Sequence, residues 1–141
     1  MTYPFNVRVY GALILDQKIL LSKESYRDKS FTKLPGGGLE FGEGLKECLA
    51  REFAEELQLE ITVGNHLYTT DFFQVSAFNP SEQILSVYFQ VFPSDKATLP
   101  ENLVAYELGK EVFWKDLNAL QVDDFTFPID KHMVSLLQAL S

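Results

Sequence analysis

The stretch Leu34–Leu59, LPGGGLEFGEGLKECLAREFAEELQL, constrains this chain more than any other. Three consecutive glycines, Gly36 to Gly38, lead into a glutamate-rich run with apolar residues at helical spacing. At about 100° per residue, Glu52, Glu55 and Glu56 fall within an arc of about 100° on one helix face. Leu49, Ala50, Phe53 and Leu57 take the neighbouring face, so one side anchors in a core while the other presents acids to a cleft. Three carboxylates together repel one another and destabilise a lone helix. A hard divalent cation with oxygen ligands resolves that repulsion, and Mg²⁺ or Mn²⁺ is the expected ion. The glycines permit a close backbone approach that a Cβ forbids, which leaves the Gly37 carbonyl free to face such an ion.

The spacing runs Gly37, five residues, Glu43, seven residues, Arg51-Glu52, two residues, Glu55-Glu56. It resembles the Nudix box, whose pattern continues with any residue, a glycine and an aliphatic. The resemblance implies an α/β fold, the Nudix-type α/β/α sandwich with a mixed β-sheet between helices. It also implies a metal-dependent pyrophosphohydrolase that cleaves the diphosphate linkage of a nucleoside diphosphate joined to another group. Carried over residue by residue, it makes Gly37 a carbonyl ligand and Glu52, Glu55 and Glu56 carboxylate ligands, with Arg51 and Glu43 holding the loop and helix in register. Family members take their general base from the box or from a distal loop. Here that leaves Glu55 or Glu56 within the box and Glu107 as first choice outside it, with Glu82 and Glu111 as rivals.

Two positions depart from the pattern. Phe53 stands where the box has an aliphatic, and Gln58 where it has a glycine. Gln adopts the left-handed conformation of a helix-ending glycine less readily, so the expectation is a helix that runs longer or stops without that motif.

The chain has 141 residues, 46% of them hydrophobic, which suits one domain over 1–141 with a sizeable core. No run approaches the ~20 apolar residues of a membrane span, and no charged leader precedes an apolar segment, so a soluble, cytoplasmic protein without membrane partners is expected. The one cysteine, Cys48, makes no demand for an oxidising compartment and reads as a small, partly buried helix residue. A formal net charge of −8 argues against nucleic-acid binding, which needs clustered Lys and Arg. A small nucleotide-type substrate fits better, because a metal and a few local basic groups offset an acidic field at one site.

In chain order, Phe5 to Leu15 and Lys18 to Leu21 read as a strand hairpin about an Asp-Gln turn. Lys23 to Lys33 shows no sustained period and reads as a basic loop, in which Arg27, Lys29 and Lys33 are candidates for holding a substrate phosphate. Beyond the helix, Glu60 to Val63 reads as a strand, Gly64-Asn65 as a turn and His66 to Phe78 as a long strand, pairing antiparallel with Ile84 to Phe92. His66 and His132 show no metal-ligand spacing and read as structural or exposed. Pro93 to Gly109, with Asp95, Pro100 and Asn102, reads as a loop, followed by a short strand at Val112–Trp114 and a helical turn at Lys115–Leu120. Ile129, Met133, Leu136, Leu137 and Leu140 predict a closing helix. With the aromatic strands, that helix supplies surface for a homodimer.

One alternative from another class stands beside the hydrolase: a Nudix-like domain that binds a nucleotide metabolite as a sensor or interaction module without turnover. The intact carboxylate set favours catalysis.

Overall fold

The computed structural model describes residues 2–95, 99 and 103–140, so Pro100 and Asn102 lie outside the described residues. Among those described, seven strands form one mixed sheet in the order β3-β2-β1-β6-β5, with β4 paired to β1 and β7 to β2. The strands are β1 (Phe5–Leu15), β2 (Lys18–Tyr26), β3 (Lys29–Lys33), β4 (Gly36–Gly38), β5 (Ile61–Thr69), β6 (Gln83–Pro93) and β7 (Lys110–Asp116). β1 runs parallel to β6 from Phe5↔Gln83 to Leu13↔Val91, while the other pairings are antiparallel.

Period-two alternation sends Val9 and Leu13 of β1 to one face and Tyr10 and Ala12 to the other. Helix α1 (Leu45–Leu57) covers the first face through Leu49, Phe53 and Leu57. Two short helices, α2 (Pro128–His132) and α3 (Val134–Gln138), cover the second through Ile129, Met133 and Leu137. The result is the sandwich with a mixed sheet between helices that the sequence predicts. No helix among the described residues is long and apolar enough to cross a membrane.

Phe53 is accommodated by a glycine in the facing strand. A Cβ on Gly11 would lie 2.8 Å from its ring, so the two positions are sterically matched and an aromatic fits where the box has an aliphatic. Burying that ring contributes about 1.5–3 kcal/mol.

Several local expectations are corrected. Lys23 to Lys33 is a hairpin rather than a loop: β2 continues to Tyr26, and Arg27 and Asp28 form a two-residue turn with φ of 51° and 63°. Positive φ at both positions gives a turn whose twist suits paired strands, and the same device joins β1 to β2 at Asp16-Gln17. Gly64-Asn65 is an irregularity inside β5 rather than a turn, with a register shift between Val63 and His66. The strand expected to reach Phe78 ends at Thr69. There the Thr70 hydroxyl takes over, donating to the Ser86 carbonyl at 3.1 Å and accepting from the Ser86 N–H at 2.9 Å, after which the chain leaves the ladder. The glycines 36–38, which lead into the helix, are strand β4 against Arg8–Tyr10.

Helix ends differ too. Gln58 does adopt the left-handed conformation, with φ 51° and ψ 38°, and its N–H bonds the Ala54 carbonyl at 3.0 Å, so the helix stops with the motif the sequence predicts it to lack. The closing helix is broken at Met133, whose N–H takes the carbonyl of Asp130 in a tightened turn. Its apolar residues Ile129, Met133 and Leu137 are buried in this chain's own core.

Candidate active site

Helix α1 presents Glu52, Glu55 and Glu56 along one side; Arg51 of the same helix meets the first two and Lys110, distant in sequence, meets the third. Arg51 grips both oxygens of Glu43, Nε donating at 2.9 Å and Nη2 at 2.7 Å. Its Nη1 donates to Glu52 at 3.0 Å and to Glu55 at 3.2 Å, while Nη2 also reaches the Gly38 carbonyl at 3.1 Å. One guanidinium thus ties the glycine strand, the loop before the helix and the helix itself. Its hydrogen bonds, with the Glu40 N–H adding to them, pull the Glu43 carboxyl down to about 2.

Glu52 packs directly on the glycine strand. A Cβ on Gly37 would sit 2.5 Å from the Glu52 carboxyl carbon, so only glycine lets this acid lie against the backbone there. Cys48, one turn earlier, is buried and donates to the Gly38 carbonyl at 3.5 Å; burial, reinforced by Glu43, pushes its thiol up to about 12. It is an inert core residue.

Glu56 is the deepest of the three, its side chain 6% exposed against 13% for Glu52 and 60% for Glu55. Lys110, at the start of β7, donates to its Oε1 at 2.6 Å and reaches Glu107 Oε2 at 3.1 Å. Burial raises the Glu56 carboxyl's pKa more than Lys110 lowers it. Burial also works against the Lys110 charge, but Glu56 and Glu107 outweigh it and raise the ammonium above its ordinary range. The Tyr106 N–H donates to the Glu56 carbonyl at 2.7 Å, tying the segment before β7 to α1.

A cavity of about 490 Å³ opens elsewhere on the sheet, and none of the α1 glutamates lines it. Phe31, Phe78 and Phe127 make one aromatic wall, with Phe31 and Phe127 stacked at 5.4 Å and Phe78 edge-on to Phe31 at 5.2 Å. Arg8, Tyr10, Glu24 and Lys33 line one side, with Arg8 and Lys33 interacting electrostatically with Glu52 and Glu56 respectively, and Gln74 to Asn79, which returns to β6 through a bridge at Val75↔Gln83, lines another. Asp130 lies at the cavity edge, 3% exposed, accepting from the Tyr88 hydroxyl at 2.5 Å. Burial pushes its carboxyl up to about 6 and, with Asp130 adjacent, also raises the Tyr88 phenol.

The structure brings together Gly37, Glu43, Arg51, Glu52 and Glu55, and links Glu56 to Glu107 through Lys110. Lys33 is buried in the cavity wall, 3.3 Å from Glu24. Arg27 and Lys29 are exposed at the hairpin turn and do not line the cavity. Glu82 lines it and accepts from Asn6 at 3.1 Å, whereas Glu111 lies exposed near Lys23. His66 contacts the Thr69 hydroxyl at 2.7 Å, and His132 packs against Tyr68. Sequence reasoning missed Arg8, Glu24 and Lys110. Arg8 left a signal, a lone charge within the apolar run of β1; Lys110 left none, since only strand pairing opposite Glu24 brings it to the helix.

No group of three or more His, Cys, Asp or Glu residues among the described residues converges closely enough to hold a metal. The donor chemistry nevertheless suits a hard divalent cation. Glu52 and Glu56 are carboxylates kept from bulk water, and Glu52 lies so close to the Gly37 backbone that a Cβ there would strike its carboxylate.

A model of the NUDIX domain matches residues 5–137. Among solved structures, the ORF135 protein of E. coli is similar at 22% identity over 97% of this chain and 91% of its own, with a TM-score of 0.75. The MutT protein from Methanosarcina mazei Go1 shows 18% identity, coverage of 99% and 97%, and a TM-score of 0.74. A bifunctional NMN adenylyltransferase/ADP ribose pyrophosphatase from Francisella tularensis shows 20% identity, with 99% of this chain aligned to 42% of that one and a TM-score of 0.74. At such identities the solved structures speak for the fold, while the family match spans nearly all of the sequence. The chain belongs to the NUDIX domain family.

Proposed function

We propose that this protein is a Mg²⁺- or Mn²⁺-dependent pyrophosphohydrolase that cleaves the diphosphate linkage of a nucleoside diphosphate joined to another group. The observation that carries the reading is an aromatic-walled cavity of about 490 Å³, large enough for a nucleoside, whose lining residues Arg8 and Lys33 interact electrostatically with the water-shielded carboxylates Glu52 and Glu56. The names of the similar MutT and ADP-ribose pyrophosphatase structures agree with a nucleotide-type substrate.

Glu52, Glu55 and Glu56, with the Gly37 carbonyl, are the residues that would hold the ion. What a divalent cation supplies there is neutralisation of the diphosphate oxygens and a lowered pKa for water. Arg51 keeps the carboxylates in place by clamping Glu43 and the Gly38 carbonyl. The Phe31–Phe127 wall takes the nucleoside ring, and Lys33 contributes positive charge at the cavity wall. Glu107, linked to Glu56 by two ion pairs that share Lys110, is the proposed general base.

A binding-only module is favoured by one observation: Lys110 already neutralises Glu56 without any metal. One experiment separates the two. Purified protein is screened with Mg²⁺ or Mn²⁺ against ADP-ribose, dinucleoside polyphosphates, coenzyme A, sugar nucleotides and oxidised nucleoside triphosphates, with phosphate and pyrophosphate followed separately. Metal-dependent turnover of any of these, abolished by chelator, supports the hydrolase; saturable binding without turnover replaces it with the sensor.

A further inference from the structure

Apart from Arg8, the buried or half-buried cations around the carboxylate helix and the cavity are ion-paired. Arg51 meets four carboxylates, Lys110 meets Glu56 and Glu107, Lys33 meets Glu24, and Lys115 meets Asp124. Arg8 differs. It lines the cavity and makes no ion pair among the described residues; its one side-chain hydrogen bond there is from Nε to the Tyr10 hydroxyl at 2.7 Å.

That bond orients the group. With Nε taken by Tyr10, the outer edge of the guanidinium, Nη1 and Nη2, is left as a two-pronged donor. Its place is set by strand register: Arg8 stands opposite Gly38 in β4 and Ser86 in β6. A Cβ built on Gly38 would lie 3.5 Å from Arg8 Nη1, so that nitrogen reaches the strand on which Glu52 rests. Burial works against the Arg8 charge, yet Tyr10, Glu24 and Glu52 more than compensate and raise its pKa. Arg8 is therefore a fixed cation on the seam between the aromatic cavity and the carboxylate face.

A guanidinium edge presents parallel N–H groups that match two oxygens of a phosphate. We infer that Arg8 binds the phosphate adjoining the nucleoside, making the cavity a site for a nucleoside 5′-monophosphate unit rather than for a bare ring. The inference rests on the cavity being the nucleoside site, as proposed above. It assigns specificity to a residue outside the glycine-to-glutamate stretch: a substrate must carry ring and phosphate one sugar apart, with the scissile linkage beyond, toward Glu52 and Glu56.

The test works without metal, so that Arg8 is the cation being read. Binding of adenosine, guanosine, cytidine, uridine and their 5′-monophosphates is measured by calorimetry in EDTA at low salt, for wild type, Arg8→Gln and Arg8→Lys. For the best-bound base, wild type is expected to hold the monophosphate about 10- to 100-fold tighter than the nucleoside. Arg8→Gln should bind the nucleoside as wild type does and lose the phosphate preference, because the guanidinium that would meet the phosphate is then gone while Glu24 and Glu52 stay nearby. Arg8→Lys should keep part of it. A preference that persists in Arg8→Gln, or its absence in wild type, overturns the inference while leaving the nucleoside site standing. Loss of nucleoside binding in both variants also overturns it, by making Arg8 a structural part of the cavity. Wild type that binds neither nucleosides nor monophosphates removes the cavity reading itself.

Discussion

Lys110 Nζ lies 2.6 Å from Glu56 Oε1, although 54 residues separate them in sequence. This ion pair joins β7 to the helix that carries the carboxylates, and it places a protein cation where the proposed metal would find a ligand. Both side chains are largely shielded, so removing either partner leaves a charge with little solvent to stabilise it.

Lys110→Met should therefore lower the stability of the metal-free protein by about 1–3 kcal/mol. It should also show a larger Mg²⁺-induced rise in Tm than wild type, because the ion then neutralises an otherwise unpaired Glu56. Thermal melts in EDTA and in Mg²⁺ check both points; equal rises in the two proteins would place the ion elsewhere.

Glu56→Gln should abolish metal-dependent hydrolysis while leaving the fold intact, and should reduce the Mg²⁺-induced rise in Tm. Near wild-type turnover by this variant would refute the metal assignment. Gly37→Ala probes the same site from the backbone: its methyl group would displace the Glu52 carboxylate, and Mg²⁺ affinity by titration should fall about 10- to 100-fold.

Glu107→Gln tests the general base. A positioned base contributes about 10²- to 10⁴-fold, so kcat should fall by that much with KM and metal affinity little changed. A loss below about fivefold would return the role to Glu55 or Glu56.

Asp130 gives a pH dependence whose sign is set by burial. Its carboxyl is pushed from an ordinary 3.8 up to about 6, so between those values the folded protein holds a proton that the unfolded chain has released. Stability from this group is thus lost as pH rises from about 4 through about 6, by up to about 3 kcal/mol. Asn in its place still accepts the Tyr88 hydroxyl and carries no charge. Urea denaturation should find Asp130→Asn close to wild type at pH 4 and relatively more stable at pH 8.

Gln58→Gly should raise stability by about 0.5–1 kcal/mol, since Gln58 holds a left-handed φ of 51° that a side chain disfavours. Urea midpoints should rise with an unchanged slope.

Local patterns carried the family, the carboxylate helix and the alternation of the long strands into the sequence, because helical spacing and period two are properties of neighbouring residues. Glu52, Glu55 and Glu56 share a face by spacing alone, and Val9 and Tyr10 part to opposite faces for the same reason. Where the chain broke its own pattern, tertiary contacts decided: Gln58 takes a glycine's conformation as the helix stops, Thr70 ends β5 by bonding Ser86, and the basic segment around Arg27 closes into a hairpin. The cavity was beyond the sequence, and of its charges only Lys33 and Glu82 were named there. Arg8, Glu24 and Lys33 of the cavity, and Lys110 beside Glu56, come from four strands that meet only when β1, β2, β3 and β7 are in register, and no local spacing encodes which unlike charges will pair across a sheet.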